Sequence, residues 1–248
     1  MVDRSFVDLS LASLYDALNP WGPGDDFYLD LVMSARSVLD VGCGTGQLLA
    51  RARREGHEGT LTGLDPAAAM LIQARHREPD VSWVLGDLGT RLWDGEFDLV
   101  VMTGHAFQVF AHDDELHEAL TAVRSALAPG GRFVFETRHP AGRPWTRWTS
   151  DDVRTVTDPE GRAVKVRREV DGTPAGHRVT VKETFESEIW PRPRISRSTL
   201  HFPDPDRLSL VLGRAGLRVL EQYGDWERGP LTQASGEIVT VATAAVDG

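Results

Sequence analysis

SVLDVGCGTGQLLARA, residues Ser37 to Ala52, decides the fold. An apolar run carries Asp40, a glycine turn follows at Gly42, Gly44 and Gly46, and a helical pattern starts at Gln47. The stretch reads as strand, tight turn and helix, the arrangement that cradles a nucleotide. A turn that brings backbone N–H groups up to a ligand has no room for a Cβ, and glycine also accepts the positive φ such turns use. The spacing is GxGxG. Gln47 stands where a dinucleotide-binding GxGxxG would place its third glycine.

Outward from this turn, strands and helices alternate from about residue 36 to 140, the pattern of a parallel sheet with helical crossovers. Thr60–Leu64 reads as a second strand ending at Asp65, with Pro66 opening a helix through about His76. Val81–Leu85 is a third strand, closing at Gly86 and Asp87. Phe97–Met102, nearly all apolar, is a fourth, buried on both faces. Asp113 or Asp114 caps a helix to Leu127, which Pro129, Gly130 and Gly131 break before a fifth strand, Arg132–Glu136. Residues 141–203 differ in character. Their alternation (Val164, Val166, Arg168, Val170; Val179, Val181, Glu183, Phe185) predicts antiparallel strands around a turn at Asp171–Gly176. A helix at about Asp206–Ala215 and strands at Leu217–Tyr223 and Glu237–Ala245 complete the chain.

Composition narrows the function classes. The 248 residues suit one large α/β domain, or a domain with an insert. No run approaches the roughly 18 apolar residues of a membrane span, and Met1–Ser10 lacks the basic start and apolar stretch of a signal peptide. A cytoplasmic location is expected. The single cysteine, Cys43, excludes an internal disulfide and a multi-cysteine zinc site, and the His112/His117 pair has no third partner nearby, so no metal site is assigned. With 27 basic against 37 acidic residues the net charge is −10, a field that repels polyphosphate, so nucleic acid is not an expected partner.

Asp65, 19 residues after Gly46 at the end of the second strand, is placed to accept both hydroxyls of an adenosine ribose, in either S-adenosylmethionine (SAM) or NAD. A helix N-cap before Pro66 is the lesser reading, and the two roles can coexist. The glycine turn with Asp40, Asp65, then Gly86-Asp87-Leu88, then LAPGGRFVFE at Leu127–Glu136, in this order and at these separations, resembles the class I SAM-dependent methyltransferases. The resemblance is carried by residues 36–140 and implies a seven-stranded, mostly parallel Rossmann-like sheet with helices on both faces, its last strand antiparallel. It further implies that Asp87 and Leu88 read the adenine, that Met70 covers its face, and that Thr103 and Gly104 flank the methionine moiety. Gly42, Cys43, Gly44, Gly46, Gln47 and Pro66 complete the expected cofactor contacts. Residues 36–140 and 204–248 are then the core and 141–203 an antiparallel substrate cap.

Residues 1–35 resemble the lid helices of small-molecule methyltransferases. A leucine stripe (Leu9, Leu11, Leu14, Leu18) surrounds Tyr15-Asp16, and Trp21, Phe27 and Tyr28 follow. An aromatic near a sulfonium is physically sensible through attraction of the cation to the ring face, and Tyr15, Trp21 and Phe27 are the candidates. Strand carboxyl ends line the crevice of open α/β sheets, which puts His105 and Gln108 beside the fourth strand's exit. Methyl transfer needs water excluded, nucleophile and methyl aligned and, for a protonated acceptor, one proton removed. His105 is the candidate base because a histidine ordinarily titrates near neutrality; Glu136, Arg138, His139 and His201 are lesser candidates. The expected partner is a small-molecule acceptor of methyl on nitrogen or oxygen, the expected assembly a monomer or homodimer. Two alternatives stand beside this. An NAD-dependent oxidoreductase would share the turn and Asp65 but has no use for Asp87, and a non-catalytic SAM-binding protein would keep every cofactor motif.

Overall fold

The computed structural model describes residues 3–110 and 112–245 of the chain. The first two residues of the expected lid and the last three of the expected core lie outside that range. In chain order the helices are α1 Arg4–Val7, α2 Leu9–Ala12, α3 Tyr15–Leu18, α4 Pro23–Ser34, α5 Gln47–Arg54, α6 Ala68–Arg77, α7 Asp113–Ala126 and α8 Pro205–Arg214. The strands are β1 Ser37–Val41, β2 Thr60–Asp65, β3 Ser82–Leu85, β4 Phe97–Met102, β5 Leu127–Arg138, β6 Val153–Thr157, β7 Ala163–Val170, β8 Arg178–Glu186, β9 Arg194–His201, β10 Leu217–Tyr223 and β11 Glu237–Ala244.

Seven strands form one sheet in the order β10-β11-β5-β4-β1-β2-β3. The pairs β1–β2, β1–β4, β2–β3 and β4–β5 are parallel, while β11 runs antiparallel to both β5 and β10. Both faces are covered, which is why the central strands read as continuous apolar runs rather than alternating ones. Leu39, Val100, Phe133 and Phe135 pack on one face against Leu116, Leu120 and Val123 of α7 and Leu208 and Leu212 of α8. Val38, Leu61, Leu99, Val101 and Val134 pack on the other against Phe27 and Val32 of α4, Leu48 and Leu49 of α5 and Leu71 of α6.

The second sheet, β6-β7-β8-β9, is antiparallel throughout. Val164, Val166 and Phe185 on its inner face bury Leu11 and Leu14 of the N-terminal segment. That segment is a bridge: Ser5 N–H donates to Ser196 Oγ of β9 at 3.0 Å, and Gln73 Nε2 of α6 donates to the Ala12 carbonyl at 2.9 Å.

The leucine stripe runs over two single-turn helices, α2 and α3, with Asp8 starting the first by accepting the Ser10 N–H and Leu9 left exposed. Three local expectations are corrected. Pro66 precedes α6 instead of opening it; the helix starts at Ala68, and Asp65 Oδ1 accepts the Ala67 N–H at 2.8 Å. The N-cap position of α7 is His112, with Asp113 and Asp114 inside the first turn, where the positive helix end favours them. Pro129-Gly130-Gly131 does not stop a helix ahead of the strand. It lies within β5 as an irregularity, the partners on β4 jumping from Phe97↔Leu127 to Leu99↔Arg132.

Candidate active site

The crevice lies at the carboxyl edge of the large sheet, where β1, β2 and β4 end and α3 crosses above them. Gly42, Gly44 and Gly46 have φ of 75°, 55° and 73°, so the turn after β1 is left-handed at each glycine. The need is steric as well at Gly46, where a Cβ would stand 2.5 Å from the Trp83 ring and 2.9 Å from the Ala74 Cβ. The turn is held from β2: Gly42 N–H donates to the Leu64 carbonyl at 2.8 Å and Gly44 N–H to Asp65 Oδ2 at 2.9 Å. Asp65 therefore clamps the glycine turn with one oxygen and the approach to α6 with the other, and each oxygen keeps a second lone pair. Burial raises its pKa above the usual carboxylate range.

Asp40 is 1% exposed, and its Oδ1 has no hydrogen-bond partner. Burial, then the charges of Asp65 and Glu136, push its pKa up to about 8. Above the turn sits Tyr15, its ring 3.9 Å from where a Gly44 Cβ would be and its hydroxyl 3.5 Å from where a Gly104 Cβ would be. Burial and the carboxylates Asp65, Asp16, Asp25 and Asp40 push this phenol up to about 12. Asp16, the next residue, fastens α3 down: it accepts from Thr45 Oγ1 at 2.6 Å and Gln47 Nε2 at 2.9 Å, and it pairs with Arg77. Gln47, which breaks the dinucleotide spacing, thus ties the N-terminal segment to the turn. An orphaned buried carboxylate oxygen beneath a left-handed glycine turn fits an adenosyl cofactor with a charged amino-acid tail.

A second cluster adjoins the first. Glu136 of β5 is 1% exposed, accepts from the Tyr28 hydroxyl and from the His105 N–H at 2.6 Å, and has its pKa raised by burial. His105, at a positive φ of 64°, sets Nε2 3.0 Å from Glu237 Oε2, and its Nδ1 is 4.0 Å from Glu136 Oε1. Glu237 reaches this point because β11 runs antiparallel, bringing its first residue to the edge where the other strands end.

The remaining expected residues divide. Met70 is buried with Tyr15, Ala12 and Phe6, while Pro66, Thr103, Gly104 and Gly86 form the rim. Asp87 is exposed and makes a local turn, its Oδ1 accepting the Gly89 N–H at 3.0 Å, with Leu88 buried behind it. Cys43 turns its thiol inward beside Trp83, and burial raises its pKa. Three residues are not brought to the turn. Trp21 donates to Asp26 at 2.7 Å and faces Arg51 of α5, Phe27 packs in the core against Tyr28 and Trp226, and Gln108 is fully buried with its amide joining the His201 carbonyl to Arg138. His139 accepts from the Ala141 N–H, and His201 lies against His177; burial lowers the pKa of both. A 380 Å³ depression lined by Asp113, His117, Arg207 and Arg214 lies between α7 and α8, and none of the crevice residues lines it. Composition and spacing carried no sign of Asp16, Tyr28 or Glu237 as site residues; an acid beside Tyr15 and another at the head of an apolar strand are the faint signals.

Residues 38–131 match the model of the Methyltransferase domain family. The chain is 25% identical over 219 residues to the cypemycin N-terminal methyltransferase of a Streptomyces species, covering 84% of this chain and 83% of that one. It is 33% identical over 159 residues to the dTDP-3-amino-3,4,6-trideoxy-alpha-D-glucopyranose N,N-dimethyltransferase of Streptomyces venezuelae, covering 57% and 63%. The SAM-bound structure of CalS10, an amino pentose methyltransferase from Micromonospora echinaspora, superposes with a TM-score of 0.67 at 26% identity, over 94% of this chain and 97% of that one.

Proposed function

The chain belongs to the class I S-adenosylmethionine-dependent methyltransferases, and we propose that it methylates a nitrogen or oxygen of a small molecule held between the large sheet, the N-terminal segment and the second sheet. The observation that carries this is the contact of the two clusters: Gly104 sits under Tyr15, and His105, its neighbour, bonds to Glu136 and Glu237.

When bound, the cofactor supplies a methyl group on a sulfonium, ready for in-line displacement. The chain's own part is to hold, dry and deprotonate. The glycine turn and Asp65 would hold the adenosine, Asp40 would face the charged tail, and Met70 and Asp87 the adenine. With Nε2 as donor to Glu237, His105 leaves Nδ1 to take a proton from the acceptor, the imidazole oriented by one carboxylate and stabilised by a second. The N-terminal segment would act as the lid, pinned by Asp16, and residues 141–203 as the cap that excludes water. One named relative is an N-terminal methyltransferase and another an N,N-dimethyltransferase, which favours an amine among the acceptors. The reading extends to a cytoplasmic enzyme, monomer or homodimer, and the net charge of −10, which repels polyphosphate, favours an acceptor other than nucleic acid.

Calorimetry with SAM, S-adenosylhomocysteine (SAH) and NAD, then turnover on a panel of amines and phenols, tests the reading. SAM and SAH should bind in the micromolar range, roughly −8 kcal/mol, and His105→Ala should lower kcat by about 10²-fold or more on any acceptor found. Tight NAD binding without SAM binding would sink it.

A further inference from the structure

We propose that the methyl acceptor carries an anionic group, a phosphate or a carboxylate, which docks on Arg138 and Arg168 beside the Trp148 ring. This deepens the methyltransferase reading and rests on it. Three separate elements converge here. Arg138 ends β5, two residues past Glu136 and so on the same face of the strand. Arg168 projects from β7 on the face that carries Val164 and Val166, the inner face of the second sheet. Trp148 lies on the connection between the sheets, its carbonyl accepting the Val170 N–H at 3.2 Å. The two guanidinium carbons stand 5.6 and 4.6 Å from the Trp148 ring centroid.

Close ion pairing of the two arginines is incomplete among the described residues. Strand register sets Glu237 opposite Arg138, yet that carboxylate is bonded to His105. Among the described residues no carboxylate comes within 4.0 Å of Arg138, whose side chain donates to the neutral Gln108 Oε1 at 2.9 Å. Arg168 has one carboxylate, Glu183, at 3.7 Å, and its buried Nε has no hydrogen bond. Burial and the repulsion of Arg168 pull the Arg138 guanidinium down to about 10. A chain with ten excess negative charges has thus placed two half-buried guanidiniums against one indole ring with a single carboxylate within 4.0 Å of either, while Glu136, Glu237 and Asp152 act on them only from farther off. A buried charge is costly until paired, and a planar guanidinium fork fits phosphate and carboxylate oxygens in bidentate geometry. Arg138 shares a strand face with Glu136, the carboxylate that accepts the His105 N–H, which assigns the pair to the acceptor.

The test is calorimetric titration of the SAH-saturated protein with sodium phosphate, sodium pyrophosphate and sodium acetate at constant ionic strength. Saturable millimolar binding of at least one anion is expected. Arg168→Gln and Arg138→Gln should each weaken it about tenfold with SAH affinity unchanged, and Arg168→Lys, which keeps the charge without the fork, should weaken it less. Stronger binding of the phosphates supports a phosphate ester as acceptor, stronger binding of acetate a carboxylate. No saturable binding, or equal binding by wild type and both glutamine variants with unchanged melting temperatures, overturns the proposal. Failure of SAH itself to bind would overturn the cofactor reading instead.

Discussion

Replacing Asp40 by asparagine should make the unliganded protein more stable at neutral pH and remove most of one pH dependence. The carboxyl is fully buried with one oxygen unpartnered, and its pKa of about 8 compares with 3.8 unperturbed. Because the folded value is raised, the contribution is fully present below pH 3.8 and is lost as pH rises toward 8: the unfolded chain gives up its proton while the folded one must keep it. The slope is about 1.4 kcal/mol per pH unit, so from pH 5 to pH 7 the wild type should lose about 3 kcal/mol through this group. For a chain of this size each kcal/mol moves Tm by about 2–4 °C, giving a fall of roughly 6–12 °C. Asparagine has the shape of the neutral acid and no proton to lose. The measurement is Tm, or the urea midpoint, at half-unit steps from pH 5 to 7.5 for both proteins. Taking their difference cancels the rest of the chain, including His139 and His201, whose lowered values act in the opposite sense. Parallel curves over that range would refute the reasoning.

Gly46→Ala should cost about 2–5 kcal/mol, from a side chain forced into the left-handed region and from the collision with Trp83 and Ala74, read as a lower urea midpoint together with lost SAH binding. Asp16→Ala removes three partners of the N-terminal segment, one of them the buried Thr45 hydroxyl; at partly exposed positions this should amount to about 1–2 kcal/mol, a 5- to 30-fold weaker SAH affinity. Hydrogen exchange should show residues 4–18 opening faster in that variant, and unchanged exchange with unchanged affinity would mean that Asp16 is not the fastening.

The parts of the fold legible in the sequence are those where one residue type answers a local backbone demand. The glycines at 42, 44 and 46 could be read because each stands at a positive φ, and Phe97–Met102 because a strand covered on both faces is apolar at every position but Asp98, near its start. Pro129-Gly130-Gly131 was misleading for the same reason, since a helix stop and a strand irregularity demand the same residues. Long-range placement was not legible. Tyr28 meets Glu136 across 108 residues and His105 meets Glu237 across 132, and nothing near any of them records the meeting. Trp21, Phe27 and Tyr28 are chemically alike in sequence; only the rotation of α4 sends Tyr28 to the crevice edge and Phe27 into the core.

The reversed direction of β11 has a practical side for anyone attaching something to this protein. Because that strand begins at the crevice with Glu237, it carries the chain away and leaves it at Ala244 on the opposite rim, where Thr243 pairs with Arg132, just past the β5 irregularity. An affinity handle, a fluorophore or a surface tether joined after β11 therefore departs from the edge opposite the glycine turn and His105. The same cargo joined before α1 would press on the short helices wedged between α6 and β9, and so on the fastening over the glycine turn.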